Sequence, residues 1–453
     1  MDQSLLDLPD DALLAVLAYL SPAELLGCRV VCRRLRDLCV HRHLWKSAAV
    51  DCELLSALRV APCLRKLSFE DLDLKLTPAE KVASLVASTE CVVDYLKFLV
   101  NFDNDETELA LATAVVQKFT ALGGLRALRL IFLYKIRSPA PVASLLKAAL
   151  SVPDLRELMI FMRVKSSRMP VPWLEELDAR PSLIKLTYLG KCDRFLTWLL
   201  KTHADTLEDV NLMCDDRLPI NLLAMLPRLR SLACNTTHGL LYSAALSNLD
   251  TLKLFNKDQD FSVFPPSALD FLRQAPHLRS VSVFLPCGEN LTVPLQALAS
   301  SPSARCIESL TLSWKGSYES ASVASELVAN ILPHFSSLQS LSLESKLSED
   351  ALVFFLKAVT PVSAPTLTSL LVRPDELCMH DWLHGPLVQD LWERNPRLHL
   401  RVDCPSEFCL CICQWCRWGC HTVLQKAGNL HQLTFAAHRR VEGCPSDCRR
   451  WPQ

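Results

Sequence analysis

Ile307-Glu308-Ser309-Leu310-Thr311-Leu312-Ser313 carries the pattern that decides the fold: an apolar residue, two free positions, an apolar residue, one free position, an apolar residue. Within it Leu310-Thr311-Leu312-Ser313 alternates with the period of two expected of a β-strand. The same tag recurs upstream as Leu64-Leu67-Phe69, Val93-Leu96-Phe98, Leu125-Leu128-Leu130 and Leu155-Leu158-Ile160. It continues as Leu183-Leu186-Tyr188, Leu207-Val210-Leu212, Leu229-Leu232-Cys234, Leu249-Leu252-Leu254 and Leu278-Val281-Val283. Downstream come Leu338-Leu341-Leu343 and Leu367-Leu370-Val372, with a weaker match at Leu430-Leu433-Phe435. Successive tags lie about 27 residues apart. Leucine is common in this chain, so the even spacing carries more weight than any single match. Proline two residues ahead of the first apolar position, at Pro62, Pro153, Pro181, Pro227, Pro276, Pro365 and Pro396, stops a preceding helix and hands the chain to a strand. Helical stretches such as Ala143–Leu150 precede many tags. Each unit therefore reads as helix, short strand, loop.

These tags resemble leucine-rich repeats over roughly residues 60–403. The resemblance implies an α/β repeat solenoid, a horseshoe with parallel concave strands and outer helices that bury one continuous core. It departs from the family at the ninth position, where asparagine or cysteine is usual and only Asn101 falls. A solenoid of helices alone is the competing architecture, and the alternation inside the tags argues against it.

Side chains alternate along a strand, so the free tag positions face the concave side. The seventh position reads Leu99, Ile131, Phe161, Leu189, Met213, Asn235, Phe255 and Phe284, then Ser313, Glu344 and Arg373. Large apolar groups exposed in a stripe mark an interface, so Leu99, Ile131, Phe161, Leu189, Met213, Phe255 and Phe284 are candidate substrate contacts. If the strands are longer or shifted, the same residues are core instead. The third and fifth positions of later units are hydroxylated, as at Ser280, Ser282, Ser309, Thr311, Ser340, Ser342 and Ser369. No arginine cluster at these positions points to a phosphorylated substrate.

The first fifty residues follow a different pattern. Leu8-Pro9-Asp10-Asp11 opens a helix, with proline in its first turn and acids where the helix dipole favours them. Leu13, Val16, Leu17 and Leu20 keep helical spacing. Ser21-Pro22-Ala23-Glu24 is a capping box for a second helix that starts its stripe with Leu25 and Leu26. A third helix is expected to carry Val30, Val31, Leu35 and Leu38, before Leu44-Trp45 closes the unit. Leu8 to Trp45 resembles an F-box, a small all-α module, through Leu8-Pro9, Leu13, Leu20, Leu25, Val31-Cys32-Arg33-Arg34 and Leu44-Trp45. The resemblance implies docking to the Skp-type adaptor of a cullin ubiquitin ligase, with Leu8, Pro9, Leu13, Val16, Leu17, Leu20, Leu25, Val31, Leu44 and Trp45 as adaptor-binding residues. Leu35 departs from the aromatic residue usual after the basic pair. The plainer reading is an N-terminal cap on a repeat domain.

The expected division is residues 1–50 as the adaptor-binding F-box, 51–403 as the substrate-binding repeats, and 404–453 as a cysteine-rich segment. Eight of 20 cysteines crowd into that last segment. Cys413 and Cys416, with Cys444 and Cys448, have the spacing of zinc ligands. Alternation at Cys409, Cys411 and Cys413 suits buried thiols of a strand equally well. No other cofactor is expected.

The 453 residues are half hydrophobic, ample for a large core, and the net charge of -1 excludes general affinity for nucleic acid or anionic membrane. Only 11 glycines occur, against a usual share of about 7%, and no phosphate-cradling or nucleophile-elbow motif is present. The chain is therefore not expected to be an enzyme. No basic, apolar leader opens it and no run of uncharged apolar residues is long enough to span a bilayer, so a cytoplasmic or nuclear location is expected. The combined reading is a non-catalytic substrate receptor working with the adaptor, cullin and RING subunits of a ligase. The alternative is a leucine-rich scaffold or inhibitor without a ligase role.

Overall fold

The computed structural model describes residues 5–70, 79–100, 106–133, 139–162, 180–214, 220–235, 246, 248–255, 264–285, 291–314, 318–374, 382–383, 385–405 and 432–437. The chain divides into two compact units, Met1–Arg228 and Leu229–Gln453.

The first unit opens with four short helices, α1 (Asp10–Leu17), α2 (Pro22–Cys28), α3 (Arg33–Leu38) and α4 (Arg42–Trp45). Seven strands follow: β1 (Ala49–Val50), β2 (Cys63–Phe69), β3 (Val92–Val100), β4 (Ala127–Phe132), β5 (Glu157–Met162), β6 (Lys185–Leu189) and β7 (Asp209–Leu212). They pair in chain order and all in parallel. Parallel neighbours need a crossover, and α5 (Ala79–Ser88), α6 (Glu106–Leu122), α7 (Pro139–Leu150) and α8 (Arg194–Thr202) lie in those connections. The helix α9 (Ile220–Leu223) ends the unit.

The second unit repeats the plan. Its strands are β8 (Ser231–Asn235), β9 (Thr251–Phe255), β10 (Ser280–Leu285), β11 (Ser309–Trp314), β12 (Ser340–Leu347), β13 (Ser369–Pro374) and β14 (His399–Pro405). All seven are parallel and paired in order. The intervening helices are α10 (Pro266–Gln274), α11 (Thr292–Ala299), α12 (Tyr318–Ile331), α13 (Glu349–Ala358) and α14 (Pro386–Arg394). The last strand, β15 (Gln432–Ala437), reverses and pairs antiparallel with β14; this is the weak Leu430-Leu433-Phe435 tag.

Every expected strand forms on its tag. The middle leucines pair partner to partner: Leu67, Leu96, Leu128, Leu158, Leu186 and Val210 in the first unit. In the second unit the row is Leu232, Leu252, Val281, Leu310, Leu341, Leu370 and Leu400. All three apolar positions of all twelve tags are at most 7% exposed. Burying each Leu or Val stabilises by about 1.5–3 kcal/mol, and a one-residue slip would turn the whole row toward water. Register is therefore fixed by the tag. The helices supply the other half of the core through Phe119, Leu145, Leu199, Leu272, Leu298 and Phe355, all buried.

A backbone device recurs at several handovers into a strand. The carbonyl at tag position two accepts two N–H groups from the next repeat. Arg126 accepts from Arg156 (2.7 Å) and Glu157 (3.0 Å), and Glu308 from Gln339 (2.8 Å) and Ser340 (2.9 Å). Hydroxyls just before the strands bridge neighbouring repeats too. Thr206 Oγ1 donates to the Leu183 carbonyl (2.7 Å), Ser303 Oγ to Ala275 (2.6 Å) and Thr366 Oγ1 to Leu338 (2.9 Å). Ser303 Oγ also accepts from the Leu278 N–H at 2.9 Å. These bridges satisfy backbone that would otherwise be left unpaired inside the stack.

One helix differs from expectation. Val30 and Val31 do not ride on the third helix; they form the turn between α2 and α3. Two β-branched residues in succession disfavour helix. Cys32 restarts it from an extended conformation, its Sγ accepting the Leu35 N–H.

Candidate functional site

The helices α1–α4 are too short to hold themselves together and depend on a few specific contacts. The capping box forms as read: Ser21 Oγ accepts the Glu24 N–H at 3.3 Å and Glu24 Oε2 accepts the Ser21 N–H at 2.7 Å. Those bonds from Ser21 hold the Glu24 carboxyl below the usual glutamate range. The Trp45 ring is fully buried, and its Nε1–H donates to the Cys39 carbonyl at 2.6 Å. Burial pushes the Cys39 thiol up, so it stays protonated and acts as a small apolar group. Leu35 fills the position where the family has an aromatic residue, and it is buried. Helix α4 packs on β2, which joins the module to the sheet of its own unit.

Arg34 ties the chain start to α3. Its guanidinium donates to Asp10 Oδ1 from Nε at 2.9 Å and from Nη2 at 2.6 Å, to the Leu8 carbonyl at 2.7 Å, and to the Leu6 carbonyl. An exposed ion pair contributes little stability by itself. The fork geometry, however, fixes where Leu5, Leu6 and Leu8 point. All three are exposed, as are Val16 and Pro9. Tyr19 is 92% exposed, Val30 81% and Val31 67%. Seven large apolar side chains thus meet solvent within the first 31 residues, a density that marks an interaction surface.

Of the expected adaptor-binding residues, Leu13, Leu17, Leu25, Leu44 and Trp45 are buried in the core of the module. Leu20 is half-buried. Leu5, Leu6, Tyr19 and Val30 belong to the exposed set and were missed. Tyr19 follows Val16 at i+3 and lies in the turn just after α1.

The sheet offers a second surface. Helices cover the tag side chains, and the third, fifth and seventh positions face the other way. In the first unit Leu99, Ile131, Phe161 and Leu189 pair in one row. Leu99, Phe161, Leu189 and Met213 are half-buried, so the row is partly open. Ile131, between Leu99 and Phe161, is 7% exposed. In the second unit Phe255 and Phe284 are half-buried and stacked, ring centroids 4.6 Å apart at 12°. Beside them runs a ladder of hydroxyls, Thr251, Ser280, Ser309, Ser340 and Ser369, one per strand and in register. The candidate zinc ligands Cys413, Cys416, Cys444 and Cys448 lie outside the described residues. Among the described residues, no three His, Cys, Asp or Glu side chains are grouped to hold a metal ion. No helix among them is long and apolar enough to cross a membrane.

Residues 5–50 match the F-box-like family. Over 43 residues the chain is 56% identical to an F-box protein of Arabidopsis thaliana. That match covers 10% of this chain and 12% of the relative's length. The segment that matches the F-box-like family is also the one in which the exposed large apolar residues are concentrated.

Proposed function

We propose that this chain is a non-catalytic substrate receptor of a cullin-based ubiquitin ligase. The F-box-like segment docks a Skp-type adaptor, and through it the cullin and RING subunits, by Leu5, Leu6, Leu8, Pro9, Val16, Tyr19, Val30 and Val31. The repeated α/β units are leucine-rich repeats of a horseshoe, whose strand face opposite the helices captures a protein substrate. The observation that carries this reading is the concentration of exposed large apolar side chains in the segment that matches the F-box-like family. Left in water these groups serve no fold. Buried against a partner they stabilise association by about 25 cal/mol per Å² of apolar surface removed from water. The ubiquitin-transfer chemistry belongs to other subunits, in keeping with the adaptor role typical of F-box proteins.

The test is a binding measurement between the purified Skp-type adaptor and the full chain. Val31→Asp puts a charge into the docking surface, and Leu8→Ala with Pro9→Ala removes its first contacts. Each is expected to weaken binding at least tenfold while the circular dichroism spectrum and melting temperature hold. A folded intact chain that does not bind the adaptor would overturn the ligase role and leave a leucine-rich scaffold.

A further inference from the structure

The strand face of the first unit carries a cluster that the tag pattern alone does not advertise. Lys66, Tyr95 and Ala127 pair side by side on β2, β3 and β4, and Ser68, Lys97 and Arg129 pair two residues further on. All six project to the face away from the helices. Lys97 is buried and bridged to Glu70. Lys66 Nζ sits 5.9 Å over the Tyr95 ring. Burial raises the Glu70 carboxyl, but the Lys97 hydrogen bond and charge, then Arg129 and Lys66, more than offset it and hold it below its ordinary value. Arg129 also acts on the Tyr95 hydroxyl. Three cations therefore converge on one carboxylate. Glu157 stands exposed on β5 beside Ala127.

Two features show that the cluster is not saturated. Arg129 Nε is buried and has no hydrogen-bond partner. A guanidinium with a shielded, unsatisfied N–H costs roughly 1–3 kcal/mol, more for a charged group, until an acceptor arrives. Among the described residues Lys66, Lys97 and Arg129 all act on the one carboxylate of Glu70, in a half-buried place where attraction is less screened than in bulk water. Ala127 pairs with Tyr95 on one side and Glu157 on the other and contributes only a methyl. Two residues beyond Lys97 on β3 stands Leu99, and Phe161 lies in the same row on β5; both are half-buried and apolar.

We propose that this face binds an extended acidic segment of the protein substrate, with an Asp or Glu carboxylate on Arg129 and Lys97 and a large apolar residue of the same segment against Leu99 and Phe161. This inference rests on the receptor reading and names the substrate chemistry it selects. Alternate residues of an extended chain lie about 6.7 Å apart. The cation row and the apolar row are two strand residues apart and so have the same separation. Glu70 acts as an internal competitor for the cations, so the incoming carboxylate must displace part of its pairing.

The experiment replaces Phe161 with the photo-crosslinking residue benzoylphenylalanine in the full chain, expressed in cells. Crosslinked peptides are then identified by mass spectrometry. The expected result is segments with Asp or Glu within two or three residues of the crosslink. Yield should fall at least fivefold in Arg129→Gln and rise in Glu70→Gln, a pairing of effects that a merely structural role would not produce. Adaptor binding, measured in parallel, should stay unchanged in both variants, which separates failure of this site from failure of the receptor reading. Crosslinked segments lacking acids, equal yields in the three proteins, or no crosslink from a chain that still binds adaptor would each overturn the proposal. Loss of the crosslink on phosphatase treatment would also overturn it, by assigning the anion to phosphate.

Discussion

His203 shows how a single ring can be committed to one protonation state. It follows α8 with its side chain buried, and its Nδ1 accepts the N–H groups of Ser182 at 3.2 Å and Leu183 at 3.5 Å. Burial lowers its pKa from 6.5 to about 4. The unfolded chain therefore binds a proton near pH 6.5 that the folded chain refuses until about pH 4. The neutral ring's contribution is complete above pH 6.5 and is lost as pH falls toward 4, about 3 kcal/mol in all. Urea denaturation of the intact chain at pH 7 and pH 4.5 should show this loss. His203→Gln, which lacks a titrating group, should give a flatter pH dependence. Ser303 makes the complementary case with no charge. Its hydroxyl is fully buried, accepting from Leu278 N–H and donating to the Ala275 carbonyl. Ser303→Ala strands both backbone groups and should cost about 2–4 kcal/mol, read as a drop in denaturation midpoint at unchanged slope.

At the scale of elements, turns decide whether tags become strands. Gly124 stands between α6 and β4 with φ +86°, and a Cβ there would meet Val92 Cγ1 at 2.4 Å. Gly124→Ala should destabilise by about 2 kcal/mol through backbone strain and overpacking, measured by thermal melting. The strands themselves were legible because the tag is longer than the chance recurrence of leucine and each of its positions has a fixed direction. What lies on the opposite face was less legible. The apolar seventh position caught the eye, whereas Lys66, Lys97 and Arg129 converge only when three strands are laid in register, so their grouping was missed. In α1 the failure has another cause. Leu13, Leu14, Val16 and Leu17 crowd the end of an eight-residue helix, and Tyr19 and Leu20 follow in the turn after it. Helical spacing then identifies no single face, and only packing separates Leu13 from Val16. The hydroxyl bridges from Thr206, Ser303 and Thr366 stand just before the strands, and the tag pattern does not mark them.

For the whole molecule the consequence is a division of labour along the chain. The F-box-like segment belongs to the first compact unit, and the second is built of repeats that each rest on their nearest neighbours. In such stacks stability is close to a sum of repeat and interface terms, so damage in one repeat weakens its neighbours first. Leu310 is fully buried at the middle of the β11 tag, between Val281 and Leu341. Leu310→Ala should cost about 2–5 kcal/mol, since the lost methyls leave a cavity that stacked strands cannot easily close. Amide hydrogen exchange should then quicken from β9 to β13 while β2 to β5 keep their protection. Adaptor affinity should be unchanged, because the exposed residues from Leu5 to Val31 and the contacts of Arg34 and Trp45 that hold them all lie in the first unit. Equal acceleration in both units, with adaptor binding lost as well, would mean the chain melts as one cooperative body and that adaptor docking and substrate capture cannot be separated by mutation.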